Sequence, residues 1–257
     1  MSTLDILIPV YNEGPSIVKV LDGLASSIKT PYRVLICYDD EEDTTLSVLR
    51  NYRSPAASIN PVKNEGKGVH GAVMTGFHKS QSPAVIVFPA DDTFNGPIID
   101  GMVQKFQEGA DIVAASRFMR GGCMNRCPWL KALLVRSAAW TLYHLARLPT
   151  HDPTNGFRLF SRRVLREIPV ESSMGWAFSI ELLVKCHRRG WQVAEVPAQW
   201  HERSEGKSRF RIGKWLPVYL RWYFYAFETA AVKIYPVWLL TIFVLYFIWV
   251  ILPKLPA

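Results

Sequence analysis

Short apolar runs alternate with segments of helical periodicity over the first 115 residues. Residues 4–10, 33–38 and 84–88 are apolar and bounded by polar turns, the pattern of strands. Between them, residues 15–27 place Ile17, Val20, Leu21 and Leu24 at helical spacing, with Pro15 suited to a first turn. Residues 68–79 repeat that spacing, residues 98–106 predict a third helix, and residues 111–116 a further strand. Such alternation predicts a largely parallel sheet covered on both faces, with ligands beyond the carboxyl ends of its strands. A looser stretch, 117–129, precedes an amphipathic helix at 129–147. A strand at 156–160, a helix at 177–189, a strand at 192–197 and a polar, basic loop at 200–210 follow. No repeat, low-complexity tract or flexible linker interrupts the chain.

The pattern changes at the carboxyl end. Residues 234–252, IYPVWLLTIFVLYFIWVIL, are nineteen positions without a charge. As a helix this run is about 28 Å long, close to the roughly 30 Å hydrocarbon core of a bilayer. Lys207, Arg209, Arg211, Lys214, Arg221 and Lys233 face only Glu228 in residues 207–233, a local +5. The alternative is a buried helix ending a soluble domain; the basic collar favours a membrane span, and the positive-inside rule then puts the main domain on the cytoplasmic side. The first residues have neither a basic stretch nor a long apolar run, so they do not read as a signal peptide. The expected organisation is a catalytic domain over 1–210, a basic amphipathic juxtamembrane segment over 211–233 and a single transmembrane helix over 234–253.

Composition narrows the classes. The chain has 257 residues, 49% of them hydrophobic, and net charge +8. That hydrophobic content excludes a disordered chain. No nucleic-acid-binding motif accompanies the positive charge, which therefore points to a membrane surface. Cys37, Cys123, Cys127 and Cys186 have neither a disulfide framework's density nor zinc-site spacing.

Carboxylates gather where the sheet should bind ligands. The first strand ends in PVYNEG, the second in YDDEED, and the strand at 84–88 in PADD. Carboxylates brought together repel unless a cation offsets them, and a hard divalent ion with oxygen ligands does so while also binding phosphates. Asp40 and Asp91 are the functional candidates; Glu41, Glu42 and Asp43 read as solvated turn and helix-cap residues. Gly66-x-Gly68-x-x-Gly71 matches a dinucleotide fingerprint, but the preceding SINPVKN is too polar for the buried strand that motif requires. Pro61 and Gly68 likewise break a Walker A reading. What remains is a basic turn containing Lys67 at a helix start, able to approach an anionic ligand. Arg117, Arg136, Arg158, Arg203, Lys207 and Arg209 add cations suited to phosphate. No Ser-His-Asp or Cys-His arrangement is readable, so no covalent nucleophile is expected.

IPVYNEG, YDD, NEGKGVHGAVMTGF, FPADD, SRF, DPTNGFRLF and RSEGKSRF occur in the order found in family 2 glycosyltransferases. Over about residues 4–210 the chain resembles the dolichyl- and polyprenyl-phosphate sugar synthases of that family. The resemblance implies a GT-A fold, an NDP-sugar donor (GDP- or UDP-sugar), Mg²⁺ or Mn²⁺, and a polyprenyl phosphate acceptor. It assigns Pro9, Tyr11, Glu13, Tyr38, Asp40, Lys67, Ala90, Asp91 and Lys131 to the donor nucleotide. Asp91 is also the implied metal ligand, and Asp91, Arg117, Arg203 and Arg209 the implied catalytic group. Arg203, Ser208 and Arg209 match a loop that closes over the phosphates. Pro89 occupies the first aspartate of the family's D-x-D, Thr93 a frequent Gln or His position, and Ser179 a usual Gln.

A phosphate acceptor is largely dianionic at neutral pH and needs no general base. Transfer would then rest on positioning and electrostatics, with inversion at the anomeric carbon. Two alternatives remain: a glycosyltransferase with a hydroxyl acceptor, for which Glu181 or Asp152 are the available bases, and a membrane-tethered nucleotide-sugar-binding or scaffold subunit without turnover. A membrane-protein partner or homo-oligomer is compatible with either.

Overall fold

Strand β1 (Leu4–Pro9) shows why the sheet is a central layer. Leu4, Ile6 and Ile8 enter one apolar cluster and Leu7 the other, all fully buried. A strand with two apolar faces requires cover on both sides. In this computed structural model, residues 3–54, 56–201 and 212–228 are described. One layer comprises α1 (Ser16–Ser27), α2 (Thr44–Asn51) and α4 (Ile99–Gln107). The other comprises α3 (Gly68–Lys79), α5 (Trp129–His144), α6 (Arg162–Glu167), α7 (Ala177–Arg188) and α8 (Ile212–Phe227). Helix α3 lies so close to β1 that a Cβ on Gly76 would fall 2.0 Å from Leu7 Cδ1.

The remaining strands are β2 (Tyr32–Tyr38), β3 (Ser58–Lys63), β4 (Ala84–Val87), β5 (Ile112–Ser116), β6 (Cys123–Asn125), β7 (Arg158–Ser161), β8 (Val193–Pro197) and β9 (Gln199–His201). Seven of them form a sheet in the order β3-β2-β1-β4-β7-β5-β8. The expected α/β architecture with a mostly parallel sheet is present. Strand β7 runs antiparallel between β4 and β5. Its entering loop, residues 152–156, therefore emerges at the same end as the loops that leave the parallel strands.

Two expectations need correction, and a third reading is refined. Residues 58–63, read as too polar for a buried strand, form β3, paired in register with β2. It is an edge strand, half exposed, where Pro61 is tolerated. The stretches 117–129 and 200–210 contribute β6 and β9, which pair with each other. Helix α5 is not conventionally amphipathic: it buries Ala139 and Leu142 but exposes Trp129, Leu133, Leu134 and Trp140. Among the described residues no helix is long and apolar enough to cross a membrane. The run at 234–252 and the loop at 202–210, with Arg203 and Arg209, lie outside the described residues.

Candidate active site

The loops at the carboxyl ends of β1 and β2 are laced together. Asn12, at φ 54°, donates its backbone N–H to Asp43 Oδ2 at 2.9 Å and accepts from Thr44 N–H through Oδ1 at 3.1 Å. Glu13 N–H donates to Thr45 Oγ1, and Asp43 Oδ1 caps α2 by accepting from Thr45 N–H at 2.8 Å. Asp43 does cap the helix, as its sequence position implied, but it also shapes the Tyr11–Glu13 turn. Tyr11 stands 52% exposed above that turn. Pro9 ends β1 opposite Cys37. Asp40 is exposed and accepts from Glu42 N–H. Tyr38 is buried, and its hydroxyl donates to Glu41. With Leu46, Leu49, Tyr52 and Ile59 its ring lines a cavity of about 500 Å³ between α2 and β3.

The turn between β3 and α3 explains the glycine-rich motif without a dinucleotide. Asp39 Oδ2 accepts from Gly68 N–H at 2.8 Å, and Asp39 Oδ1 accepts from Asn64 Nδ2. A carboxylate already sits on the amide that opens the helix. Gly71 has no room for a side chain: a Cβ there would lie 2.9 Å from Asn64 Oδ1 and 3.0 Å from Gly66 Cα. Gly68 requires φ +64°. Lys67 is exposed on this turn.

Beyond β4, Ala90 is buried while Asp91 faces solvent. Asp92 turns inward. Its Oδ1 accepts from Phe94 N–H and Asn95 N–H, and its Oδ2 from Asn95 Nδ2 at 2.6 Å. Burial pushes its carboxyl above the ordinary value despite these donors. Asn95 then pairs with the backbone of Gln199, donating to its carbonyl at 2.7 Å and accepting from its N–H at 2.8 Å. The Asp91 turn is thus pinned to β9.

On the other side, Arg117 leaves β5 and meets Asp152 in the loop entering β7. Its Nε and Nη2 donate to the two carboxylate oxygens at 2.6 and 2.8 Å, and its backbone N–H adds a third bond at 3.0 Å. Asp152 is fully buried. Burial alone would raise its pKa, but the Arg117 charge and donors hold it below the ordinary value. The guanidinium expected on donor phosphates is therefore committed to a buried ion pair, and both Arg117 and Arg136 lie within cation–π distance of the Phe118 ring. Arg158, also buried, donates to the carbonyls of Pro153 and Ser179, tying that loop to α7; desolvation lowers its pKa to about 10. Glu181 accepts from Glu171 N–H, Ser172 N–H and Lys185 Nζ. Both carboxylates considered as general bases are thus held by internal partners. Lys131 lies over the Trp200 ring at 4.8 Å, and Phe94 packs on His201.

The structure brings Tyr11, Glu13, Asp40, Lys67, Asp91 and Arg117 to loops at one end of the sheet, with Pro9 at the end of β1 and Lys131 in the first turn of α5. Sequence reasoning missed the residues that hold these loops, namely Asp39, Asn64, Asn95 and the second role of Asp43. Among the described residues, no three His, Cys, Asp or Glu side chains gather as a ready-made metal cage. One solvent-facing carboxylate, Asp91, fits a cation that takes its other oxygens from a diphosphate and water, as Mg²⁺ commonly does.

Residues 5–169 match the family described as Glycosyl transferase family 2. The chain is 25% identical over 225 residues to dolichol-phosphate mannosyltransferase of Pyrococcus furiosus, over 85% of this chain and 62% of that protein, and so spans under two thirds of that relative's length. It is 24% identical over 227 residues to polyprenol monophosphomannose synthase of Mycolicibacterium smegmatis, over 82% of this chain and 85% of that protein. Glucosyl-3-phosphoglycerate synthase from Mycobacterium tuberculosis, crystallised with UDP, superimposes with a TM-score of 0.64 at 17% identity, over 88% of this chain and 80% of that one. The same enzyme crystallised with Mn²⁺, UDP-glucose and phosphoglyceric acid gives a TM-score of 0.62, also at 17% identity, over 86% of this chain and 80% of that one. At that identity the likeness concerns the fold alone, a GT-A-like α/β sheet. With its matched region running from β1 through α6 and enclosing the Asp91 turn, this chain belongs to glycosyl transferase family 2.

Proposed function

We propose that the protein transfers a sugar from an NDP-sugar to a polyprenyl phosphate at the cytoplasmic face of a membrane, with inversion. The observation that carries this reading is the sequestration of Asp152 and Glu181 in a family 2 fold. A hydroxyl acceptor needs a base within reach of its proton, whereas an ionised phosphate does not. The names of the two sequence relatives, a dolichol-phosphate and a polyprenol-phosphate enzyme, support the same acceptor class.

Tyr11, Glu13, Asp40 and Lys67 would hold the nucleoside and its ribose. Asp91 would hold Mg²⁺ or Mn²⁺ on the diphosphate. The cation, when bound, offsets the charge that grows on the leaving diphosphate. A lone pair on the lipid phosphate oxygen forms the bond to the anomeric carbon as the bond to the diphosphate oxygen breaks, and that electron pair leaves with the nucleoside diphosphate. Lys131, Arg203 and Arg209 would neutralise the two anions that must meet, and Arg117 acts by fixing the 152–154 loop. Residues 234–253 would anchor the chain.

The test is turnover of GDP- and UDP-sugars with a short-chain polyprenyl phosphate, with 3-phosphoglycerate as the competing hydroxyl acceptor. Transfer to the lipid phosphate that is lost in excess chelator and in Asp91→Asn is expected. Transfer only to 3-phosphoglycerate, or binding of donor without turnover, would overturn the reading.

A further inference from the structure

Glu195 lies in the middle of β8, where Ala194 and Val196 pack into one apolar layer and Val193 into the other. Its side chain is only 15% exposed. A carboxylate in such a place needs partners, and it finds them in the loop that carries Asp152. Oε2 accepts from the Thr150 hydroxyl at 2.9 Å and from His151 N–H at 2.8 Å, and Oε1 pairs with His151 Nδ1. The His151 ring is in turn stacked on Tyr143 of α5, with centroids 4.0 Å apart.

Thr150 passes the contact on. Its hydroxyl donates to Glu195 and accepts from Asp152 N–H at 3.2 Å, and Thr150 and Asp152 are both fully buried. Asp152 then holds the Arg117 fork, and its Oδ1 also accepts from Thr154 Oγ1. The two ends of this chain spring from paired strands: Glu195 lies opposite Ala114 of β5, three residues before Arg117. The β5–β8 ladder therefore fixes the spacing of two pins, and the 150–154 turn is held between them. Asn155 closes the turn by donating from Nδ2 to the Ala115 carbonyl at 2.7 Å, again on β5. Without the Glu195 acceptor, a buried hydroxyl and a backbone N–H lose their partner, and Asp152 is released on that side.

We propose that Glu195 is a positioning residue for the transfer: through Thr150 it orients Asp152, and through Asp152 the Arg117 guanidinium and Thr154. This role rests on the sugar-transfer reading above and adds to it a residue that acts only through others. It requires a hydrogen-bond acceptor at this point rather than a negative charge, since Arg117 is already neutralised by Asp152. Misplacing reacting groups by about 1 Å can cost on the order of a hundredfold in rate.

The test compares the full chain in detergent with Glu195→Ala, Glu195→Gln, Thr150→Val and, as a control, Asp100→Ala. Asp100 also accepts from two backbone N–H groups and a threonine hydroxyl, but just before β2, at the end of the sheet away from the site. With donor and short-chain polyprenyl phosphate, Glu195→Ala and Thr150→Val should lower kcat about tenfold or more while donor KM changes less than about threefold. Thr150→Val carries the test if Glu195→Ala does not fold. Glu195→Gln should stay within about threefold of wild type, because its amide oxygen still accepts from Thr150 and His151 and its NH₂ can donate to the other tautomer of the ring. In ¹⁵N–¹H spectra the Arg117 Nε–H resonance, identified by its loss in Arg117→Lys, should shift in Glu195→Ala and Thr150→Val. It should keep its place in Glu195→Gln and Asp100→Ala. A kinetic loss no larger than that of Asp100→Ala would overturn the role. So would an unshifted Arg117 resonance, or a Glu195→Gln as impaired as Glu195→Ala. Absence of transfer by the wild-type chain would instead overturn the sugar-transfer reading, and the resonance alone would then decide whether Glu195 orients Arg117.

Discussion

Asp152→Asn keeps the shape of the side chain but removes the charge that holds Arg117. In the native site one carboxylate accepts from Arg117 Nε, Nη2 and backbone N–H, and from Thr154 Oγ1. Arg117 is 10% exposed and Asp152 wholly buried. The variant turns an amide NH₂ towards a guanidinium that has only donors, and leaves a buried cation unpaired. Breaking a buried pair from one side costs about 3–5 kcal/mol. At about 2–4 °C per kcal/mol for a domain of this size, the melting temperature should fall by around 10 °C. Thermal unfolding followed by near-UV circular dichroism in detergent measures it. The folded pKa of Asp152 is depressed, so its contribution is present above the unfolded value near pH 4 and disappears as pH falls through the folded value. The gap between wild type and variant must therefore narrow in acid. A loss under about 1 kcal/mol, or a gap that ignores pH, would refute the reasoning. The kinetics separate two roles for Arg117. If it positions the 152–154 loop, Arg117→Lys, which keeps the charge but loses the fork, should lower turnover as much as Asp152→Asn does. If it touches phosphate directly, Asp152→Asn would free it for the ligand and turnover would survive.

Two further outcomes follow from the same geometry. Asn95→Ala strips both bonds from the Gln199 backbone and one from Asp92, and should cost about 2–3 kcal/mol in urea unfolding while raising the KM for donor; unchanged stability would show that the turn holds itself. Asp5 is buried beneath Arg33, Ser80 and the backbone N–H groups of Gln81 and Ser82. Burial opposes its ionisation, but these partners hold its pKa well below the ordinary range. Its stabilisation is thus present above about pH 4 and is lost only in strong acid. Asp5→Asn should destabilise at pH 7 and converge on wild type near the acid limit, as denaturant titration at several pH values would check.

The helices over the sheet were legible because Ile17, Val20, Leu21 and Leu24 repeat with the period that packing demands. Strand β3 was not, because an edge strand with one exposed face and Pro61 inside carries little apolar pattern. The direction of β7 was also invisible, since a run of buried residues looks the same parallel or antiparallel. The pairing of β6 with β9 joins segments too far apart for any local pattern to reveal it. At the site, the exposed carboxylates and cations could be located from strand ends, but the residues that build the loops could not. They did leave one trace. Asp40, Asp43, Asn64, Asp92 and Asn155 each accept from a backbone N–H two residues on, the turn that Asp and Asn side chains favour. Arg117 looked like a free cation because its partner lies 35 residues away.

The amide of Asn95 joins two stretches of chain 104 residues apart, one carrying Asp91 and the other leading from β9 into the segment of Arg203 and Arg209. A ligand that tightens one end of such a joint changes the free energy of binding at the other, and thermodynamic reciprocity requires the same factor in the opposite direction. Donor and acceptor affinities measured separately therefore need not multiply to the affinity of the ternary complex. The excess, read as the ratio of donor Kd without and with acceptor, is a property of Asn95 and should approach unity in Asn95→Ala.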